Sequence, residues 1–197
     1  MHLRTSLKSR ARRWVVVAAA LALLAEGALA QQDEREREKT ERVADILTAL
    51  GARDGAHIAD VGSSDGFYTL RIAKGVAPSG KAYAIDIDQK SLDKLRERAQ
   101  KDAITNVDVI LSEPADPKLP TGALDAVLIR NAYHEMIEHA TILRHVREGL
   151  KAEGRLVIAE PIRDRNRARS REEQVAAHQI APEIVEAELR AAGFEVV

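Results

Sequence analysis

HIADVGSSDGFYTLRIA, His57 to Ala73, followed after a short turn by KAYAIDID, Lys81 to Asp88, is the stretch that decides the fold. Ile58 and Val61 are apolar strand formers that run into a loop holding Gly62, Ser63, Ser64, Asp65 and Gly66. Phe67, Leu70 and Ala73 then recur at helical spacing. The reading is strand, glycine-bearing loop, helix, strand, with Asp86 closing the second strand. Two glycines let the backbone adopt positive φ or approach another group closely, and the helix that follows opens with unpaired N–H groups.

An acid at the end of the second strand of such a unit is placed to accept hydrogen bonds from ribose hydroxyls. A nucleoside-containing cofactor is the expected occupant. The dinucleotide fingerprint G-x-G-x-x-G is not met, because Ser64 stands where its middle glycine belongs and no glycine follows at the third place. A Tyr-x-x-x-Lys pair of short-chain oxidoreductase type is also absent at Tyr133, since Ile137 stands four places on.

Outward from this unit, strand and helix patterns alternate. A helix over Val43, Ile46, Leu47 and Leu50 precedes it, after an almost wholly charged run from Asp33 to Arg42. Leu92, Leu95 and Ala99 mark a helix after Asp88, and Val107 to Leu111 a third strand. The loop Ser112 to Pro120, with acids at Glu113 and Asp116, leads to a buried fourth strand within Leu124 to Met136. A helix over Ile142, Leu143, Val146 and Leu150, a fifth strand within Gly154 to Pro161, and a helix between Pro182 and Gly193 complete the pattern. This order implies an α/β fold, a doubly wound and mostly parallel sheet covered by helices on both faces. Phe194 to Val197 is expected to open a sixth strand, and the final antiparallel strand usual in such a sheet is missing.

The loop resembles motif I of the class I S-adenosylmethionine-dependent methyltransferases, roughly D-x-G-x-G-x-G, with Asp60, Gly62 and Gly66 matching and Ser64 departing from it. YAIDID, NAYHEM and the terminal AAGFEVV, in this order, are similar to small methyltransferases that carry export signals. The resemblance implies a Rossmann-like methyltransferase fold over residues 31–197, S-adenosylmethionine as cofactor, and a small-molecule methyl acceptor. It assigns donor binding to Asp60, Gly62, Ser64, Gly66 and Asp86, with Glu113 or Asp116 reaching the adenine amino group and Asn131 added from the end of the fourth strand. Tyr133 and His134 then face the acceptor, His134 as a base and Tyr133 as an orienting group. A non-catalytic exported binding protein on the same fold is the alternative reading.

Residues 1–30 read as a secretory signal: Arg4, Lys8, Arg10, Arg12 and Arg13, an apolar core from Trp14 to Ala25, and an A-x-A cleavage site at Ala28 to Ala30. The apolar core is shorter than the roughly 20 residues a bilayer span needs, so no stable membrane span is expected once it is cleaved. The expected location is outside the cytoplasm, in the periplasm. Without this segment the chain keeps 25 basic and 30 acidic residues, a net charge of −5, which argues against a nucleic-acid partner. No cysteine is present, so disulfides and thiolate metal sites are excluded. His134 and His178 lack an obvious third ligand in the sequence, and no metal is expected. Arg163, Arg165, Arg167, Arg169 and Arg171 alternate along a predicted loop that could draw an anionic acceptor toward the site. The remaining helix-borne histidines, His139 and His145, are expected at the solvated surface.

Overall fold

The computed structural model describes Gln32 and residues 34–197. The signal assigned to residues 1–30 lies outside the described residues. By contacts the chain divides into two units, residues 1–44 and 45–197. Of the first unit, residues 34–40 are helical. A further helix, α1, covers Val43–Ala49.

In the larger unit five strands form one parallel sheet: β1 (His57–Val61), β2 (Lys81–Asp86), β3 (Val107–Leu111), β4 (Leu124–Arg130) and β5 (Leu150–Ala159). Their order across the sheet is β3-β2-β1-β4-β5. The three central strands are apolar on both faces and almost wholly buried, as helices on both sides require. The edge strands β3 and β5 are only partly buried.

α2 (Phe67–Val76) packs on β1 and β2, and α3 (Gln89–Lys101) on β2 and β3. α3 starts at Asp88 because its carboxylate accepts from the N–H groups of Lys90 and Ser91, and it turns Leu92, Leu95 and Ala99 inward. α4 (His139–Gly149) buries Ile142, Leu143 and Val146 and leads directly into β5. Beyond β5 lie a single 3-10 turn (Asp164–Asn166), α5 (Arg171–Ala176) and α6 (Pro182–Ala191). Ser170 and Glu173 form a capping box that starts α5, and Pro182 opens α6.

Two expectations are corrected. Phe194–Val197 forms no strand. The chain turns at Gly193 (φ 85°), and the Phe194 N–H donates to the Leu189 carbonyl (3.0 Å), so this backbone closes the end of α6. The predicted loop of arginines is corrected only at its end: Arg163 to Arg169 lie in irregular chain around one 3-10 turn, and Arg171 begins α5.

The chain leaves β1 toward β2 on one side and returns later to β4 on the other, so strand order reverses beside β1. In open α/β sheets ligands bind beyond the carboxyl ends of strands at that point. The residues there are Gly62 to Gly66, Asp86, Ser112 onward, Asn131 to Glu135 and Glu160.

Candidate active site

Backbone geometry builds the loop after β1. The N–H groups of Gly62 and Ser63 both donate to the Ile85 carbonyl at the end of β2 (2.8 and 3.0 Å). Ser64 N–H donates to Asp86 Oδ2 (2.8 Å), and Asp88 N–H to Asp86 Oδ1 (2.9 Å). Asp86 is thus aimed by two amides while each oxygen keeps further lone-pair capacity. On the far side of the loop, Arg98 holds Asp65 Oδ2 at 2.8 Å.

Gly62 and Gly66 sit at φ 80° and 82°, and both are also places of close approach. A Cβ on Gly62 would stand 2.5 Å from Ala132 Cβ, and one on Gly66 2.5 Å from Leu95 Cγ. The two glycines therefore lock β1 to the turn after β4 and to α3. Ser64 also has positive φ, 50°, so a serine occupies a conformation that glycine takes more easily.

Asp60 lies near the end of β1 and is buried. Burial pushes its carboxyl up to about 6; the Thr69 hydroxyl, which donates to Oδ2 at 2.6 Å, opposes this, and the Asp86 charge adds to it. Ser63 Oγ, in a residue 5% exposed, has no hydrogen-bond partner among the described residues.

Glu113 and Asp116 face each other across a small bridge of backbone hydrogen bonds, beginning one residue after Ser112, whose N–H reaches the Asp86 carbonyl. Glu113 is exposed and pairs with Lys118 (3.0 Å), while Asp116 Oδ1 accepts from the Lys118 N–H (2.8 Å). Asn131 is exposed at the end of β4 with φ 51°.

The other half of the site is assembled by Glu160, just past β5. Glu160 Oε1 accepts from the N–H groups of Ala132 (2.8 Å) and Tyr133 (2.7 Å), and Oε2 lies 2.6 Å from His134 Nδ1. His134 is 2% exposed, and the Glu160 side chain 4%. A carboxylate there calls for a proton on Nδ1, and a ring that is otherwise neutral then keeps its Nε2 lone pair as an acceptor. The sequence reading did not single out Glu160. Its only signal was an acid following the apolar run Leu156 to Ala159.

Tyr133 is the correction on this side. It is fully buried, and its hydroxyl donates to Glu188 Oε2 (2.8 Å). Burial, reinforced by that hydrogen bond, pushes the phenol well above its ordinary value. The residue is a core anchor and not a group presented to an acceptor. Arg171 Nε in turn reaches Glu188 Oε1 (2.6 Å), and His139 Nε2 lies 3.4 Å from the same oxygen. His139 is therefore half-buried beside an ion pair and not simply solvated. Arg167 pairs with Glu183 (3.3 Å), so two of the five arginines have partners on α6. Arg163, Arg165 and Arg169 are exposed.

A glycine loop tied to an acid on the second strand, at the switch point of a β3-β2-β1-β4-β5 parallel sheet, defines a Rossmann-like nucleoside-binding class. Residues 52–193 match the family model described as a methyltransferase domain, and the chain belongs to that family. A SAM-dependent methyltransferase from Aquifex aeolicus shares the fold with a TM-score of 0.69 at 26% identity, over 79% of this chain and 80% of that one. Similarity also extends to an uncharacterised 37.1 kDa protein of transposon TN4556 from Streptomyces fradiae, at 31% identity over 59% of this chain and 33% of that protein. A demethylmenaquinone methyltransferase from Lactococcus lactis is 24% identical over 59% of this chain and 46% of its own length. The chain thus spans half or less of the curated relatives it matches.

The family's cofactor is S-adenosylmethionine, and the site's residues fit it. Asp86 presents an oriented carboxylate, and the Ser63 hydroxyl lies buried in the loop without a partner among the described residues. Among the described residues no helix is long and apolar enough to cross a membrane.

Proposed function

We propose that this protein transfers a methyl group to a small molecule whose reacting atom gives up a proton, such as a hydroxylated aromatic ring. The observation that carries this reading is the His134–Glu160 pair. Glu160 holds the imidazole by Nδ1 at 2.6 Å and leaves Nε2 to receive a proton.

Asp86 would accept hydrogen bonds from the ribose hydroxyls, with the Gly62 to Gly66 loop close against the rest of the donor and Glu113 or Asp116 toward the adenine. When bound, S-adenosylmethionine supplies a methyl group already activated on a sulfonium sulfur. The chain's own work is therefore to hold the acceptor in line and take its proton. Glu160 keeps His134 in one tautomer and stabilises the imidazolium once the proton arrives. A protein that only binds needs no such buried proton acceptor, so the pair argues against the non-catalytic alternative. Arg163, Arg165 and Arg169 would favour an anionic acceptor. The relative named for demethylmenaquinone supports an aromatic acceptor of quinol type. We include export in this proposal on the strength of residues 1–30; the mass of the mature protein should begin at Gln31.

The test is a screen of phenols and quinols with isotope-labelled donor, product being read by mass. An accepted substrate should lose about 10²- to 10⁴-fold in turnover with His134→Gln, while S-adenosylhomocysteine still binds. Turnover that survives His134→Gln unchanged would contradict the base assignment.

A further inference from the structure

His134 Nε2, the atom that stays unprotonated in a neutral ring donating from Nδ1 to Glu160, does not face open space alone. Glu135 Oε1 lies 3.7 Å away, and the same oxygen lies 3.9 Å from His178 Nδ1. The two imidazoles meet edge to face with centroids 5.7 Å apart. One ligand atom from each of the three residues falls within 4.8 Å of the other two.

A neutral imidazole lone pair turned toward a carboxylate oxygen is a meeting of two acceptors. Such a meeting is favourable when a positive species stands between them, either a proton on Nε2 or a metal ion. We propose that His134, Glu135 and His178 form a binding site for a divalent cation of the zinc class. Two nitrogens and one carboxylate oxygen are the donor set such an ion takes, and three protein ligands leave a fourth position open. Bond lengths of about 2.0 to 2.2 Å in a tetrahedral shell bring ligand atoms roughly 3.3 to 3.5 Å apart. The separations of 3.7 and 3.9 Å thus ask for a small closure. The Glu135 and His178 side chains, 67% and 79% exposed, have the freedom to make it.

The fixed part of the site supports the same assignment. A metal-bound histidine commonly donates its second ring N–H to a carboxylate, which sets the tautomer and raises ligand basicity. Glu160 already does this for His134, and its other oxygen anchors the backbone N–H groups of Ala132 and Tyr133, at the entry to the turn that carries Glu135. The sequence alone left two histidines without a third ligand. The turn Tyr133–Glu135 supplies it from the residue next to His134.

The metal site itself does not depend on methyl transfer. It does bear on the proposed function, because the two uses of Nε2 exclude each other: an ion bound there would keep His134 from taking the acceptor's proton, so bound Zn²⁺ should inhibit the transfer proposed above.

The experiment uses tag-free, chelator-treated full-length protein. Zn²⁺ is titrated by calorimetry, bound metal is counted by mass spectrometry after buffer exchange, and Co²⁺ is added separately to read its visible absorption. One Zn²⁺ per chain is expected, with the intense bands of four-coordinate Co²⁺. His178→Ala and Glu135→Gln should each weaken Zn²⁺ at least tenfold. Glu160→Gln should weaken it about 10- to 100-fold through His134. S-adenosylhomocysteine binding in all three variants reports that they are folded. Failure of the wild type to retain Zn²⁺, or equal retention by wild type and His178→Ala, would overturn the proposal while leaving the donor site standing. Zn²⁺ binding without any donor binding would instead contradict the methyltransferase reading alone.

Discussion

The β1 loop, where we place the donor, and the ends of β4 and β5, where we place the acceptor, are built from different materials. Around the β1 loop the contacts are made by backbone: Gly62 and Ser63 bind the Ile85 carbonyl, and Ser64 and Asp88 bind the Asp86 carboxylate. At the ends of β4 and β5 the contacts are made by side chains drawn from distant positions, with His134 on Glu160, 26 residues apart, and Tyr133 on Glu188, 55 apart. A cradle of backbone amides gathered on one carboxylate tolerates changes of side chain other than Asp86, but not of φ or of close approach. A side-chain-built centre behaves in the opposite way. On the proposed reading the donor, common to a whole family, would sit in the first kind of structure, and the acceptor would face the second.

This contrast can be broken most sharply at Glu160. In Glu160→Gln the carbonyl oxygen can still serve the Ala132 and Tyr133 amides, but an NH₂ now faces His134 Nδ1 and drives the ring proton to Nε2. Transfer should fall by about 10²- to 10⁴-fold, with the melting temperature changed little. Imidazole nitrogen shifts in NMR should show the tautomer exchange. An unchanged tautomer would mean that Glu160 does not set it.

Gly62→Ala tests the opposite half. The new Cβ meets Ala132 Cβ at 2.5 Å at a residue with φ 80°, so unfolding free energy should drop by about 3 kcal/mol. Adding Ala132→Gly should restore the part due to the clash and leave the part due to backbone strain. Full restoration would show that φ is not limiting.

Asp60 gives a prediction in pH. Its folded carboxyl titrates near 6, against an ordinary value of 3.8, because it is buried. Between about pH 4 and pH 6 the folded state holds this proton after the unfolded state has lost it. Stability contributed by Asp60 is therefore highest at low pH and falls as pH rises, by roughly 3 kcal/mol in all, then stays level. Asp60→Asn, which keeps an acceptor for Thr69, should remove that decline and be the more stable protein at pH 7. Denaturant unfolding across pH 4 to 7.5 measures it, and parallel curves for the two proteins would contradict the burial argument.

The smallest effect belongs to Ser64→Gly. Relief of the left-handed φ of 50° is offset by the greater freedom of glycine in the unfolded chain, so stability should change by less than about 1 kcal/mol. S-adenosylhomocysteine should bind no more weakly. A marked loss would assign the Ser64 hydroxyl a direct role.

The same contrast explains what could be read from the sequence. The β1 loop and Asp86 are close in the chain, and glycine, strand and helix signals mark them locally, so the parallel α/β sheet and its glycine-bearing loop were legible. Glu160 and Glu188 were not, because their meaning arises only when β5 and α6 are brought beside the turn after β4. Tyr133 was misread for that reason, since a tyrosine beside a candidate base looks the same in sequence whether its hydroxyl faces a ligand or a buried glutamate. Phe194 to Val197 misled differently. Its strand-like composition is real, but Gly193 turns the chain and the backbone closes α6.

The most direct test of the central claim is calorimetric titration of S-adenosylhomocysteine into the purified protein and its Asp86→Ala variant, with NAD as the control ligand. The account predicts micromolar binding to the wild type, a loss of at least about 100-fold in Asp86→Ala from the removed ribose contacts and the loosened loop, and no change in Glu160→Gln. Binding that persists in Asp86→Ala, or a folded wild type that takes up NAD and not S-adenosylhomocysteine, would contradict it.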